Sequence, residues 1–158
     1  MKKVEFSGEV ARSPEDVYAA LTSPAFWSSY AQEHQLAAPQ VDATDEGGAT
    51  VVRMSSTVKA PAQARTFVGD SAAVTTTTRW ASRASGDLRV DVVAKQKADL
   101  TGTVALAPAG DGTRLSFAGE LNVRVAFLGG VAEGQAVKYV PQAFEDLARK
   151  LTSWRQAG

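Results

Sequence analysis

The sequence predicts an α+β fold: a curved antiparallel β-sheet, two short helices after strand 1, and a long kinked C-terminal helix. Three observations predict it. Val4, Phe6, Gly8 and Val10 alternate with Lys3, Glu5, Ser7 and Glu9, the period of a half-buried strand. Leu115, Phe117, Gly119, Leu121, Val123 and Val125 alternate with Ser116, Ala118, Glu120, Asn122 and Arg124 in the same way. After Gly129-Gly130, Val137, Val140, Phe144, Leu147, Leu151 and Trp154 recur at helical spacing, with Lys138, Gln142, Glu145, Arg149 and Thr152 opposite them.

Between these segments the elements follow from local signals. Ser13-Pro14-Glu15-Asp16 opens a helix: Ser13 caps it, Pro14 suits the first helical position, and Asp16 favours its positive end. Val17, Tyr18 and Leu21 form its buried stripe. Ser23-Pro24 starts a second short helix carrying Phe26, Trp27 and Tyr30. Gln32 to Asp45 reads as irregular. Glu46-Gly47-Gly48 is a turn and Thr50 to Ser56 a strand with Met54. Pro61 to Gly69 reads as a helical turn with Phe67 inward. Residues 72–82, with threonines at 75–78 and then Trp80, favour strand through β-branching. Ser85-Gly86-Asp87 reads as a hairpin turn into Leu88, Val90 and Val92. Leu100, Val104 and Leu106 mark another strand, and Gly110-Asp111-Gly112 another turn. The C-terminal helix is expected from Gly130 to about Arg155, roughly 35–40 Å long, with Pro141 inside it as the source of the kink.

Bulk composition narrows the function classes. The 158 residues fit one domain, 1–158, able to bury about 70% of its unfolded surface without disulfide or metal. Lys+Arg equals Asp+Glu at 17 each, and the basic residues are scattered, so nothing favours nucleic acid or anionic lipid as partner. The absence of cysteine removes thiol nucleophiles, disulfides and cysteine metal sites together. No apolar run is long enough for membrane insertion, and the first residues alternate where a signal peptide would be continuously apolar. The expectation is a cytoplasmic protein.

The order of elements, together with Ser13-Pro14, Val17-Tyr18, Pro24-Ala25-Phe26, Gly69-Asp70 with Trp80, Gly110-Asp111-Gly112-Thr113 and Leu128-Gly129-Gly130 before Glu133, resembles the START-like superfamily. This is the SRPBCC or birch pollen allergen-like, helix-grip superfamily, and within it the chain resembles an uncharacterised bacterial family. The resemblance covers the whole chain. It implies a fold and a cavity between sheet and C-terminal helix, not a named activity. The helix agrees: Ala132, Gly134, Ala136 and Val137 before Pro141 are small, whereas Phe144, Leu147, Leu151 and Trp154 after it are large. Small residues there either leave space under the helix or let helix and sheet approach closely.

No catalytic or metal-binding residue and no cofactor is expected. His34 is the only histidine and sits in the polar run Gln32 to Gln35, which points to a solvated surface position. The residues nominated to line a ligand site are Trp27, Tyr30, Arg53, Met54, Trp80, Phe117, Glu133, Ala136, Val137, Tyr139 and Val140. Glu133 is either a desolvated polar anchor paired with Arg53 or Arg79, or an acid in the first helical turn. The aromatic residues either line the site or form plain core, and only alternate threonines of 75–78 face inward. Three functions compete: binding or carrying of a small hydrophobic ligand, lipid or polyketide-like; a polyketide cyclase/aromatase-like enzyme built on Glu133, Tyr139 and Arg53; and a co-chaperone-like interaction module, which calls for an exposed apolar patch.

Overall fold

A computed structural model describes residues 2–59, 62, 65, 69–94, 97–124 and 137–154. In chain order the elements are β1 (Lys2–Val10), α1 (Pro14–Leu21), α2 (Pro24–Glu33), β2 (Ala37–Glu46), β3 (Ala49–Lys59), β4 (Ser71–Trp80), β5 (Ser85–Val93), β6 (Lys97–Ala109), β7 (Gly112–Arg124) and α3 (Tyr139–Ser153). The strands make one seven-stranded sheet in the order β1-β7-β6-β5-β4-β3-β2. Every neighbouring pair is antiparallel. This is the curved α+β helix-grip architecture the sequence predicts, with α3 packed on the sheet beside β1.

The caps work as the residue types require. Ser13 Oγ accepts from the Asp16 amide at 3.2 Å, and Pro14 follows it at the first helical position. Ser23 and Pro24 repeat the device for α2. The alternating segment 4–10 buries Val4 and Val10, and Phe6 stacks on Phe144 of α3 with ring centroids 5.4 Å apart. Phe144 stacks in turn on Phe117 at 4.8 Å. Two other ties hold α3 down. Lys150 is buried, its ammonium 2.7 Å from Glu33 Oε1 and 2.9 Å from Ser29 Oγ on α2, over the rings of Phe26 and Trp154. At the same C-terminal end Arg12 donates to the Trp154 carbonyl and the Ala11 amide to Thr152 Oγ1.

Two local expectations change and a third is located. Gln32 to Asp45 is not irregular throughout: residues 37–46 form β2, a strand at the sheet edge, nearly all of it exposed. An edge strand with water on both faces shows no alternation, and Pro39 sits where the register with β3 shifts, a position that needs no ladder hydrogen bond. The β4–β5 turn lies at residues 81–84, not at Ser85-Gly86-Asp87. Gly86 is already in β5, opposite Trp80, and a Cβ on it would fall 2.7 Å from Trp80 Cδ2. It is glycine because the indole lies on it. Pro141 stands in the first turn of α3, where a missing N–H is harmless. Lys138, between helical Val137 and Tyr139, keeps helical angles (φ −67°, ψ −25°) while the hydrogen-bond ladder is interrupted there, next to the Val137 carbonyl that the proline ring would crowd, as a proline kink requires. Phe67, Gly129-Gly130 and the start of the expected long helix lie outside the described residues.

Candidate functional site

Between the sheet and α3 lies a cavity of about 600 Å³. Its position follows from side-chain parity. On β4, Val74, Thr76, Thr78 and Trp80 face it; on β5, Leu88, Val90 and Val92 do; Met54, Ser56 and Val58 of β3 continue the same face. Leu100, Val104 and Leu115 form the far floor. Val140, Ala143, Phe144 and Leu147 of α3 close it above. The size falls in the usual range for small-molecule sites, roughly 300–1,000 Å³. Among the described wall residues there is no Lys, Arg, Asp or Glu.

The mouth is built by α2 and its C-terminus. Gln35 adopts φ 55° and ends the helix, with the Leu36 amide donating back to the Ala31 carbonyl at 2.9 Å and the Gln35 amide to Gln32 at 3.2 Å. This closing loop turns Leu36 into the wall. Tyr30 and His34 lie one helical turn apart with ring centroids 4.2 Å from each other, and Trp27 meets Tyr30 edge-on at 5.4 Å. Burial raises the Tyr30 phenol above its ordinary pKa, and the nearby Asp146 carboxylate adds to the effect. The Trp27 indole donates to the Leu21 carbonyl at 2.8 Å.

The nominated residues divide accordingly. Trp27, Tyr30, Met54, Trp80 and Val140 stand in the cavity wall. Arg53 does not: it alternates with Met54, projects from the opposite face of β3, and pairs at 3.0 Å with the exposed Glu46. Arg79 is exposed on β4 and donates to the Glu46 carbonyl. Phe117 is buried but belongs to the stacked core with Phe144 and Phe6; its ring occupies the space left by Gly102 and Gly119, where added Cβ atoms would fall 2.8 and 2.6 Å from it. Val137 packs half-buried against the core. Glu133, Ala136 and the side chain of Tyr139 lie outside what the structure describes. His34 is exposed, as its polar neighbours suggested, yet it also lines the mouth. Leu36 carries no signal in the sequence, because a helix-closing glutamine is not recognisable there, and the valines of β4 and β5 were not nominated; of the threonines 75–78, expected to face inward alternately, Thr76 and Thr78 are the two in the wall.

A sheet closed over an apolar cavity by a C-terminal helix is a helix-grip fold, and comparison with solved structures finds the same fold. The chain is similar to TTHA0849 from Thermus thermophilus (18% identity, TM-score 0.66, covering 96% of this chain and 95% of that one). It is also similar to the di-domain ARO/CYC protein BexL from the BE-7585A biosynthetic pathway (14%, TM-score 0.64, 99% and 50%) and to Ara h 8.0201 (12%, TM-score 0.61, 97% and 99%). Among curated proteins no sequence matches significantly. Residues 5–154 match the family described as protein of unknown function DUF2505, and the chain belongs to that family.

Proposed function

We propose that the chain binds, and by reversible binding carries, a small and predominantly apolar molecule in the cavity between sheet and α3. The observation that carries this reading is the wall itself: about 600 Å³ bounded by aliphatic and aromatic side chains from five strands and three helices, with a few hydroxyls along one side. Such a surface gains by exchanging water for an apolar ligand, at roughly 25 cal/mol per Å² buried. The similarity to a domain of BexL supports a ligand of aromatic or polyketide-like shape.

The enzyme reading needs inward polar groups converging on one spot, with Glu133, Tyr139 and Arg53 as its set. Arg53 lies on the other face of the sheet, so that set loses its cation. The interaction-module reading needs an exposed apolar patch, and Val93 is the one large hydrophobic side chain exposed among the described residues.

Titration with the neutral fluorophore N-phenyl-1-naphthylamine tests the proposal. One saturable site per chain is expected. Val90→Trp, which fills the middle of the wall, should weaken it at least about tenfold. Absence of saturable binding, or unchanged binding by a folded Val90→Trp variant, would sink the reading.

A further inference from the structure

Trp80 sets this cavity apart from a plain apolar lining. Its ring is held from two sides. Across the β4–β5 pair it covers Gly86, and Tyr18 meets it at 88° with centroids 5.6 Å apart. Tyr18 is itself fixed by donating to Thr50 Oγ1 at 3.3 Å, Thr50 being the residue opposite Trp80 on β3. Trp80 is only 3% exposed, and its Nε1–H is buried with no hydrogen-bond acceptor among the described residues. Trp27 in the same wall shows the ordinary arrangement, its N–H satisfied by a carbonyl. An indole N–H can only donate, and a buried donor left unpaired is costly in a low-dielectric interior.

From Trp80 a row of hydroxyls continues along the same face: Thr78 and Thr76 on β4, then Ser56 on β3 opposite Val74. One side of an otherwise apolar cavity therefore offers hydrogen bonds. Its described wall residues offer no Lys or Arg that would compensate a buried anion.

We infer that the Trp80 indole N–H, covered in this structure and bared to the cavity as a ligand seats, is the ligand-recognising donor, and that the ligand is an apolar molecule carrying a neutral oxygen acceptor, a carbonyl or ether, at the end that reaches Trp80. At interior packing density the cavity holds roughly 20–25 non-hydrogen atoms. Fatty carboxylates are disfavoured by the same wall that favours a ketone. The inference rests on the reading of the cavity as a ligand site and names the chemistry that site selects.

The test uses an isosteric pair, 2-acetylnaphthalene and 2-isopropenylnaphthalene, which differ by C=O against C=CH2. Wild type is expected to bind the ketone about tenfold more tightly. Trp80→Phe should abolish the preference while Thr78→Val retains it, and 2-naphthoate should bind more weakly than the ketone. Equal binding of the pair by wild type would overturn the inference and leave the cavity reading standing. Loss of the preference in Thr78→Val but not in Trp80→Phe, or 2-naphthoate binding tightest, would overturn it too. If neither naphthalene binds, the proposed function itself fails. Should Trp80→Phe not fold, wild type still decides. Its Trp80 indole 1H–15N signal, assigned by elimination with Trp27→Phe and Trp154→Phe, should move downfield with the ketone and not with the hydrocarbon. Identical responses to both would refute the assignment.

Discussion

Removing Glu33 should destabilise this fold more than removing the lysine it binds. The Lys150 ammonium is 8% exposed and sits between Glu33, Ser29 and the faces of Phe26 and Trp154, joining α2 to α3. Glu33 is 57% exposed. Glu33→Ala leaves a buried cation with one neutral oxygen and two aromatic faces. Breaking a fully buried pair costs about 3–5 kcal/mol, and an exposed pair contributes about 0–1. With one partner on each side of that divide, the expected loss is about 1–2 kcal/mol. Lys150→Met keeps the stem that packs on Phe26 and Trp154, removes the desolvated charge, and returns Glu33 to water. Its expected change is within about 1 kcal/mol of zero. Urea unfolding followed by tryptophan fluorescence measures both. A Lys150→Met variant that loses more stability than Glu33→Ala would refute the reasoning.

Three further outcomes follow from named contacts. The Tyr30 phenol is raised above its ordinary pKa by burial and then by Asp146, so its neutral form stabilises the fold below about pH 10, and that stability is lost as pH rises through the folded value; alkaline unfolding of Tyr30→Phe should therefore be shallower than that of wild type, and identical profiles would refute this. Gly86→Ala drives a Cβ into the Trp80 ring and should cost about 1–3 kcal/mol in urea while disturbing the wall, so a neutral variant with normal probe binding would contradict the placement of Trp80. Arg53→Ala should leave N-phenyl-1-naphthylamine affinity unchanged, because Arg53 meets Glu46 on the outer face; a large loss would return it to the site.

The strands that bury one face were legible in the sequence, because 4–10 and 115–124 alternate and the sheet places them as partners. β2 was not, since a strand exposed on both faces has no period to show. Arg53 was assigned to the cavity as a candidate cation for Glu133; with Val51, Val52 and Met54 around it all apolar, the phase of β3 stays ambiguous until its pairing with β4 is known. Phe117 illustrates a different gap. Alternation says which face a residue takes, but not whether that stretch lies under the packed end of α3 or beneath the cavity. Trp27, Tyr30 and Trp80 were legible as aromatic candidates from composition and place. The Trp80 N–H without an acceptor among the described residues and the burial of Lys150 depend on contacts between distant segments, β4 with β5 and α2 with α3, that no local pattern encodes.

A crystal structure with 1-bromonaphthalene tests the ligand cavity most directly, because anomalous scattering from bromine reports position without reference to the protein. The account predicts one bromine peak inside the wall formed by Trp80, Val90, Leu100 and Phe144. Bromine found only on the outer surface, with the side chains of that wall collapsed onto one another, would contradict it.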